Sequence, residues 1–420
     1  MPIGRRGGRR QGGPGRRALP LAAIAAATCL VAAACGGGGS SGALGSGTGA
    51  NLQLMIASSG PAETEAVQAA AASWGKETGN HVTVIPASDI SQQLTQAFAG
   101  GSPPDMFYGS PAQFDVLASS GLLAATGGKV RDPTDFYPPL IKAFTLNNTF
   151  YCAPKDFSTL ALEINTDLWQ KAGLKMGDWP TTWAQLQTDA KKLTSGNVVG
   201  LVVQDTLDRV GAFMKQAGGS YQNAEGKFTF DSPQNIKGLD FVQTLAKEGV
   251  LKFPKQVNVG SGDEALGKGV AAMVVEGNWI VGDLKTNYPK IHYVVVPLPK
   301  GPAGAGTLSF TNCWGVAAAS KHQAAAVSFV NYLTTTEQQL TFAGAVGVLP
   351  SRPSARAAFI EKFPAQRAFI DQADVAMPQV TTQGFAAVQA SFDANIINIT
   401  SLNPAQMLRQ LQDFSNALGS

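Results

Sequence analysis

Histidine is scarce. His81, His292 and His322 are the only three in 420 residues, far apart and outside any metal-ligand motif, so no zinc or other metal centre is expected. Cysteine is scarce as well: beyond Cys35 only Cys152 and Cys313 remain. In an exported chain such a pair is more often bridged than free, and the spacing alone leaves both states open. No nucleophile motif stands in a strand–turn–helix context. The G-x-S-x-G at Gly38–Gly42 lies in a Gly/Ser tract with neither strand nor helix beside it. Acidic residues are plentiful, but no acid pair can be placed by sequence, so neither an enzyme nor a cofactor-dependent protein is expected. A nucleotide loop is excluded too. Gly262–Lys268 has its spacing, yet Gly269 stands where a metal-binding hydroxyl is required, and Asp263 and Glu264 would face the phosphates.

Negative charge is missing altogether from the first 34 residues, which hold six arginines (Arg5, Arg6, Arg9, Arg10, Arg16, Arg17) ahead of the apolar run Ala18–Ala34. A basic start, a short apolar stretch and small residues at its end make residues 1–34 a signal peptide. The run is short for a membrane span. Cys35 follows three alanines, the pattern of a bacterial lipoprotein in which a lipidated, palmitate-bearing cysteine becomes the mature N-terminus. Residues 35–50 then form a flexible tether. Removing the leader leaves 26 basic against 29 acidic residues, a net −3. The basic isoelectric point of about 8.6 therefore belongs largely to the leader, and nucleic-acid binding is not expected.

The mature chain is too long for one ordinary core, so two domains are expected. Leu52–Ile56, Val82–Ile85 and Asp105–Tyr108 are apolar or alternating strand segments separated by helical patterns at 63–78 and 90–98. That alternation implies an α/β layer with parallel pairing, whose ligand site lies beyond the carboxyl ends of its strands. Tyr151–Pro154 reads as a strand stopped by proline and Ser158–Ile164 as a buried one. Lys155–Ser158 would then be an exposed polar crossover between two lobes.

Several blocks in order resemble the family 1 extracellular solute-binding proteins, the maltose-binding-protein-like receptors of ABC importers. They are Ala99–Ala124 (AGGSPPDMFYGSPAQFDVLASSGLLA), Tyr151–Leu174 with Trp183, Gly267–Trp279 (GKGVAAMVVEGNW), and Trp314–Leu333 followed by GVLPSRP. The resemblance implies a two-lobe periplasmic-binding-protein fold of type II, with a hinge and an interlobe cleft. Lobe 1 would comprise 51–155 and 315–348, and lobe 2 would comprise 156–313 and 349–420. The protein would be a monomer, lipid-anchored at Cys35 on the outer face of the cell membrane, that passes a carbohydrate to the transmembrane subunits of an ABC permease. A receptor for a peptide, anion or chelate is the alternative, and a secreted carbohydrate-active enzyme a weaker one.

Aromatic rings pack well on sugar faces, and Tyr108, Trp279, Trp314 and Phe385 are the candidates, Trp279 foremost because EGNW matches the family's cleft aromatic. The resemblance also points to Ser59, Asp89, Gln113, Asp156, Ser158, Asp205, Asp208 and Arg209 as hydroxyl-binding residues, a mostly acidic and hydroxylic set suited to a neutral polyol. It further places the strands carrying Cys152 and Cys313 side by side at the hinge, where a disulfide is geometrically permitted.

Overall fold

The computed structural model describes residues 49–418; the proposed signal peptide and residues 35–48 of the proposed tether lie outside them. In chain order the strands are β1 (Asn51–Ile56), β2 (His81–Pro86), β3 (Met106–Gly109), β4 (Thr145–Leu146), β5 (Thr149–Phe150), β6 (Ala153–Pro154) and β7 (Ser158–Asn165). There follow β8 (Val199–Val203), β9 (Leu251–Lys252), β10 (Ala271–Gly277), β11 (Tyr293–Val296), β12 (Thr307–Phe310), β13 (Cys313–Val316) and β14 (Ala376–Met377). They build two main sheets, and helices cover both.

The first sheet has the order β2–β1–β3–β13–β6. β1 pairs in parallel with β2 and β3, whereas β13 runs antiparallel to β3 and β6. Strand β1 alternates exposed and buried positions, and its buried Leu52, Leu54 and Ile56 pack with Trp74 of helix Pro61–Thr78 and Phe329 of helix Gln323–Leu333. Ala50 belongs to this body rather than to a tether. Its N–H donates to Asn80 Oδ1 (2.9 Å) and its carbonyl accepts from His81 N–H (2.8 Å).

The second sheet has the order β14–β12–β7–β10–β8–β9, with β11 also on β7. Every residue of β7 and β10 is buried, as befits central strands covered on both faces. Asn165 ends β7 by capping the next helix, accepting from the N–H groups of Asp167 and Leu168. Each sheet is completed by chain that has crossed from the other, since β13 follows β12 immediately.

The crossings lie side by side. Lys155 N–H donates to Asn312 O (2.9 Å), Phe157 and Leu349 exchange two backbone hydrogen bonds (3.1 and 2.9 Å), and Thr311 Oγ1 donates to Asp156 O (2.6 Å). This corrects the expectation of an exposed linker, because Lys155, Asp156, Phe157 and Ser158 are all buried. Phe157 joins an apolar cluster with Leu349 and Tyr137. Lys155 Nζ sits between the carboxylates of Glu63 (3.0 Å) and Asp156. A polar sequence here marks a buried ion-pair network, not solvent. Cys313 and Trp314 pair with Gly109 and Tyr108 and so belong to the first sheet.

Cys152 and Cys313 form a disulfide beside these crossings, with α-carbons 5.7 Å apart. Glycine at 109 makes room for it, since a Cβ there would come 2.9 Å from Cys313 Sγ.

Candidate functional site

A cavity of about 90 Å³ opens between the two sheet bodies. Pro111 and Ala112, from the start of helix Pro111–Ser119, line one side. Asp208, Phe310, Phe385, Gln379 and Gln389 line the other, over the ring of Tyr221. A groove of about 290 Å³ adjoins it along Tyr221, Met377–Val380 and Thr382, between Asp115 and Lys142 on one side and Gln222 and Asn223 on the other.

The second body builds its wall from three elements. Helix Leu207–Gln216 supplies Asp208 and Arg209 in its first turn. Strand β10 ends in Glu276 and Gly277, and Trp279 opens the helix that follows. Strand β12 ends in Phe310. Oε2 of Glu276 accepts from Arg209 Nε (3.0 Å) and Nη2 (2.9 Å) and from Trp279 Nε1 (3.2 Å). The guanidinium lies over the indole at 4.7 Å, and Phe310 meets that ring edge-on at 5.7 Å. The indole also lies on Gly277, where a Cβ would come 2.2 Å from the ring; the glycine of EGNW is required by this approach. Trp279 is nevertheless 39% exposed, while Asn278 beside it donates to the Gly347 carbonyl at the third crossing.

The electrostatics are balanced beneath this wall. Glu163 on β7 is fully buried, and its Oε2 accepts the Glu276 N–H (3.1 Å). Burial, then the neighbouring Glu276, pushes the Glu163 pKa well above the carboxylate range. Burial also raises Asp208, with Arg209 and Gln389 offsetting part of that. Gln389 donates to Asp208 Oδ1 (2.9 Å).

Of the residues singled out in the sequence, Asp208, Arg209, Trp279 and Phe385 come together on this wall. The others do not join them. Tyr108 and Trp314 are 1% and 3% exposed and pack edge to face at 5.3 Å inside the first body. They neighbour each other across β3 and β13 and present no open ring face to the cleft. Asp156 is consumed by Lys155, and Ser158 is buried at the start of β7. Ser59 is exposed and donates through N–H and Oγ to Glu63 Oε2 (2.8 and 2.7 Å). Asp89 caps helix Ile90–Ala99 by accepting the Gln92 N–H, and Gln113 accepts from Ser110 Oγ (3.1 Å). Asp205 lies 3.8 Å from Lys255 Nζ. Sequence reading missed Phe310, Glu276 and Gln389. Phe310 could have been found as the last residue before the second crossing, and Glu276 as the acid ahead of Gly277 in EGNW. Gln389 carries no local signal.

A family model for bacterial extracellular solute-binding proteins matches residues 40–340, well over half of the chain. The chain is a bacterial extracellular solute-binding protein. Members of this family act as solute-binding subunits of ABC importers and not as enzymes. Among curated relatives of this solute-binding protein, the lactose-binding protein of Rhizobium radiobacter is 28% identical over 297 residues, covering 65% of this chain and 68% of the relative. Among solved structures, the cyclic alpha-maltosyl-1,6-maltose binding protein of Arthrobacter globiformis superposes with a TM-score of 0.78 at 18% identity, covering 88% of this chain and 99% of the other. The GacH receptor of Streptomyces glaucescens, solved unliganded and with acarbose, gives 0.73 at 22%, covering 88% and 98%. These likenesses establish the two-lobe, maltose-binding-protein-type fold. Among the described residues no helix is long and apolar enough to cross a membrane.

Proposed function

We propose that the protein captures a carbohydrate between its lobes, closes on it by bending at the three crossings, and delivers it to the permease of an ABC importer while held to the membrane through a lipid on Cys35. The carrying observation is the cavity walled from both bodies, with Pro111 and Ala112 facing Asp208, Phe310 and Phe385. A solute there contacts both lobes only when they are together, so its binding energy favours closure, as in other periplasmic binding proteins. Lobe 1 then comprises residues from 50 to 155 and from Cys313 to about 348, and lobe 2 residues from 156 to 312 and from about 349 to 418. Sugar specificity is further supported by relatives named for lactose, diacetylchitobiose and maltooligosaccharide. One relative is named for sn-glycerol-3-phosphate, but Arg209 of this wall is occupied by Glu276.

A thermal-shift panel of mono-, di- and oligosaccharides tests this reading, because a ligand that binds only the folded state raises the melting temperature by mass action. Absence of a shift with every sugar, or turnover of a bound one, refutes it. Trp279→Ala should weaken binding of any sugar found by about 1–3 kcal/mol while the melting temperature stays near wild type, since more than a third of the side chain is exposed. Unchanged affinity by calorimetry would show that the indole serves only to hold Arg209. Cys35→Ser should move the protein from the membrane fraction to the medium with its ligand affinity intact; retention in the membrane would contradict the anchor.

A further inference from the structure

We infer that the interlobe cavity contains a cation-accepting subsite, in which the Asp208 carboxylate and the rings of Phe310, Phe385 and Tyr221 receive an alkylammonium group, so that the solute is an amine-bearing one. This rests on the solute-binding reading and narrows its ligand class. Among the described residues Asp208 is the only charged side chain lining the cavity, and the rest of the lining is aromatic, aliphatic or neutral polar. Gln389 donates to Oδ1, and among the described residues no hydrogen bond or ion pair engages Oδ2. The nearest cation does not fill that role: Arg209 turns its Nε and Nη2 to Glu276 and its Nη1 to the Asp208 carbonyl (3.2 Å). Behind the cavity Asp393 accepts the Leu207 N–H (2.7 Å), and Asp205 accepts from Gln204 Nε2 (3.5 Å) and lies 3.8 Å from the exposed Lys255. The field of Asp208 and Asp393 reaches the Tyr221 hydroxyl, whose pKa is pushed up first by burial and then by these two carboxylates.

A half-buried carboxylate beside aromatic rings accepts from a neutral hydroxyl, but that hydroxyl gains nothing further from the rings. A cation gains more, because it makes a charge-assisted contact with the carboxylate and meets the ring quadrupoles as well. An anion is repelled. The shared chemistry is alkylammonium, from either an amino sugar or a quaternary ammonium compound. Choline and the glucosamine disaccharide with free amines therefore form two arms of the test, and cellobiose is the neutral control.

By calorimetry and thermal shift, the glucosamine disaccharide should bind wild type at least about tenfold more tightly than cellobiose, about 1.4 kcal/mol. Choline at tens of millimolar should raise the melting temperature. Asp208→Asn keeps the acceptor for Gln389, so it should fold normally and lose both preferences. Asp178→Asn, an exposed surface control, should keep them. Stabilisation by choline alone upholds the subsite and removes the sugar. Stabilisation by cellobiose with no gain from either amine removes the subsite and leaves the carbohydrate reading standing. No response to either amine, or an amine preference that survives in Asp208→Asn, overturns the inference.

Discussion

Lys155→Met should destabilise the protein by about 3–5 kcal/mol in urea denaturation, the cost of removing one partner from a buried ion pair. The lysine is the common counter-charge of two carboxylates, Glu63 of the first lobe and Asp156 in the crossover, and all three side chains are at most 10% exposed. Burial alone would lower the Lys155 pKa, but Asp156 and Glu63 more than offset it and hold it above the usual lysine value. Burial likewise works against a charged Glu63, yet Lys155 and the two Ser59 donors bring it below the carboxylate norm. The sign follows. A depressed carboxyl stabilises the fold above its unfolded pKa, near 4.5, and that contribution is lost as pH falls through the folded value. Burial pushes Asp156 the other way, above its ordinary value, with Lys155 offsetting part of that; in Lys155→Met both stranded carboxylates titrate further upward, so as pH falls from about 7 to 5 the variant should gain more stability than wild type does. The triple variant with Glu63→Gln and Asp156→Asn should recover most of the loss, because replacing a whole buried network is far cheaper than halving it. A single variant within about 1 kcal/mol of wild type would show that water enters the site and satisfies the carboxylates.

The same network shows how far the sequence could be read. The α/β layer of lobe 1 was legible because β1, β2 and β3 are short apolar segments spaced by helical periods, which force parallel pairing. The family blocks in order then implied the second lobe and the fold, which the family match and the solved structures bear out. Lys155–Ser158 was misread for a physical reason. Charge in a short linker signals solvent only when no partner waits for it, and Glu63 is supplied from 92 residues upstream. Tyr108 and Trp314 posed a similar ambiguity. In sequence Tyr108 reads as the end of a strand and Trp314 as the start of a hinge strand, as a cleft aromatic would, but their register across β3 and β13 turns them toward each other. Register between distant segments is not written in either segment alone. Asp208 and Arg209 show the reverse case: adjacent in sequence at a helix start, they part, one toward the cavity and one toward Glu276, because successive helical positions face about 100° apart.

The second large effect concerns the disulfide. Cys152→Ala with Cys313→Ala should lower stability by about 2–5 kcal/mol, and the chain-entropy model puts the ceiling near 5 kcal/mol for so long a loop. The bridge spans 161 residues, a span that contains most of the second sheet, so without it the unfolded chain gains a great deal of freedom. Alanine is the right replacement, because both sulfurs sit among apolar side chains such as Phe107, Phe114 and Phe144 and a serine hydroxyl there would lack a partner. Both cysteines are at most 1% exposed. Reductant should therefore act only as fast as the hinge region opens, and wild type under native conditions should resist dithiothreitol until denaturant is added. Function should separate from stability. The bridge joins two strand ends beside the pivot, where bending displaces atoms least, so ligand affinity of the double variant should stay within about threefold, or ~0.7 kcal/mol. Mass spectrometry of unreduced, alkylated protein gives the direct check. Labelling of both thiols would dispose of the bridge, and an affinity loss far beyond threefold would mean that the crosslink shapes the cleft and does not merely restrain the unfolded chain.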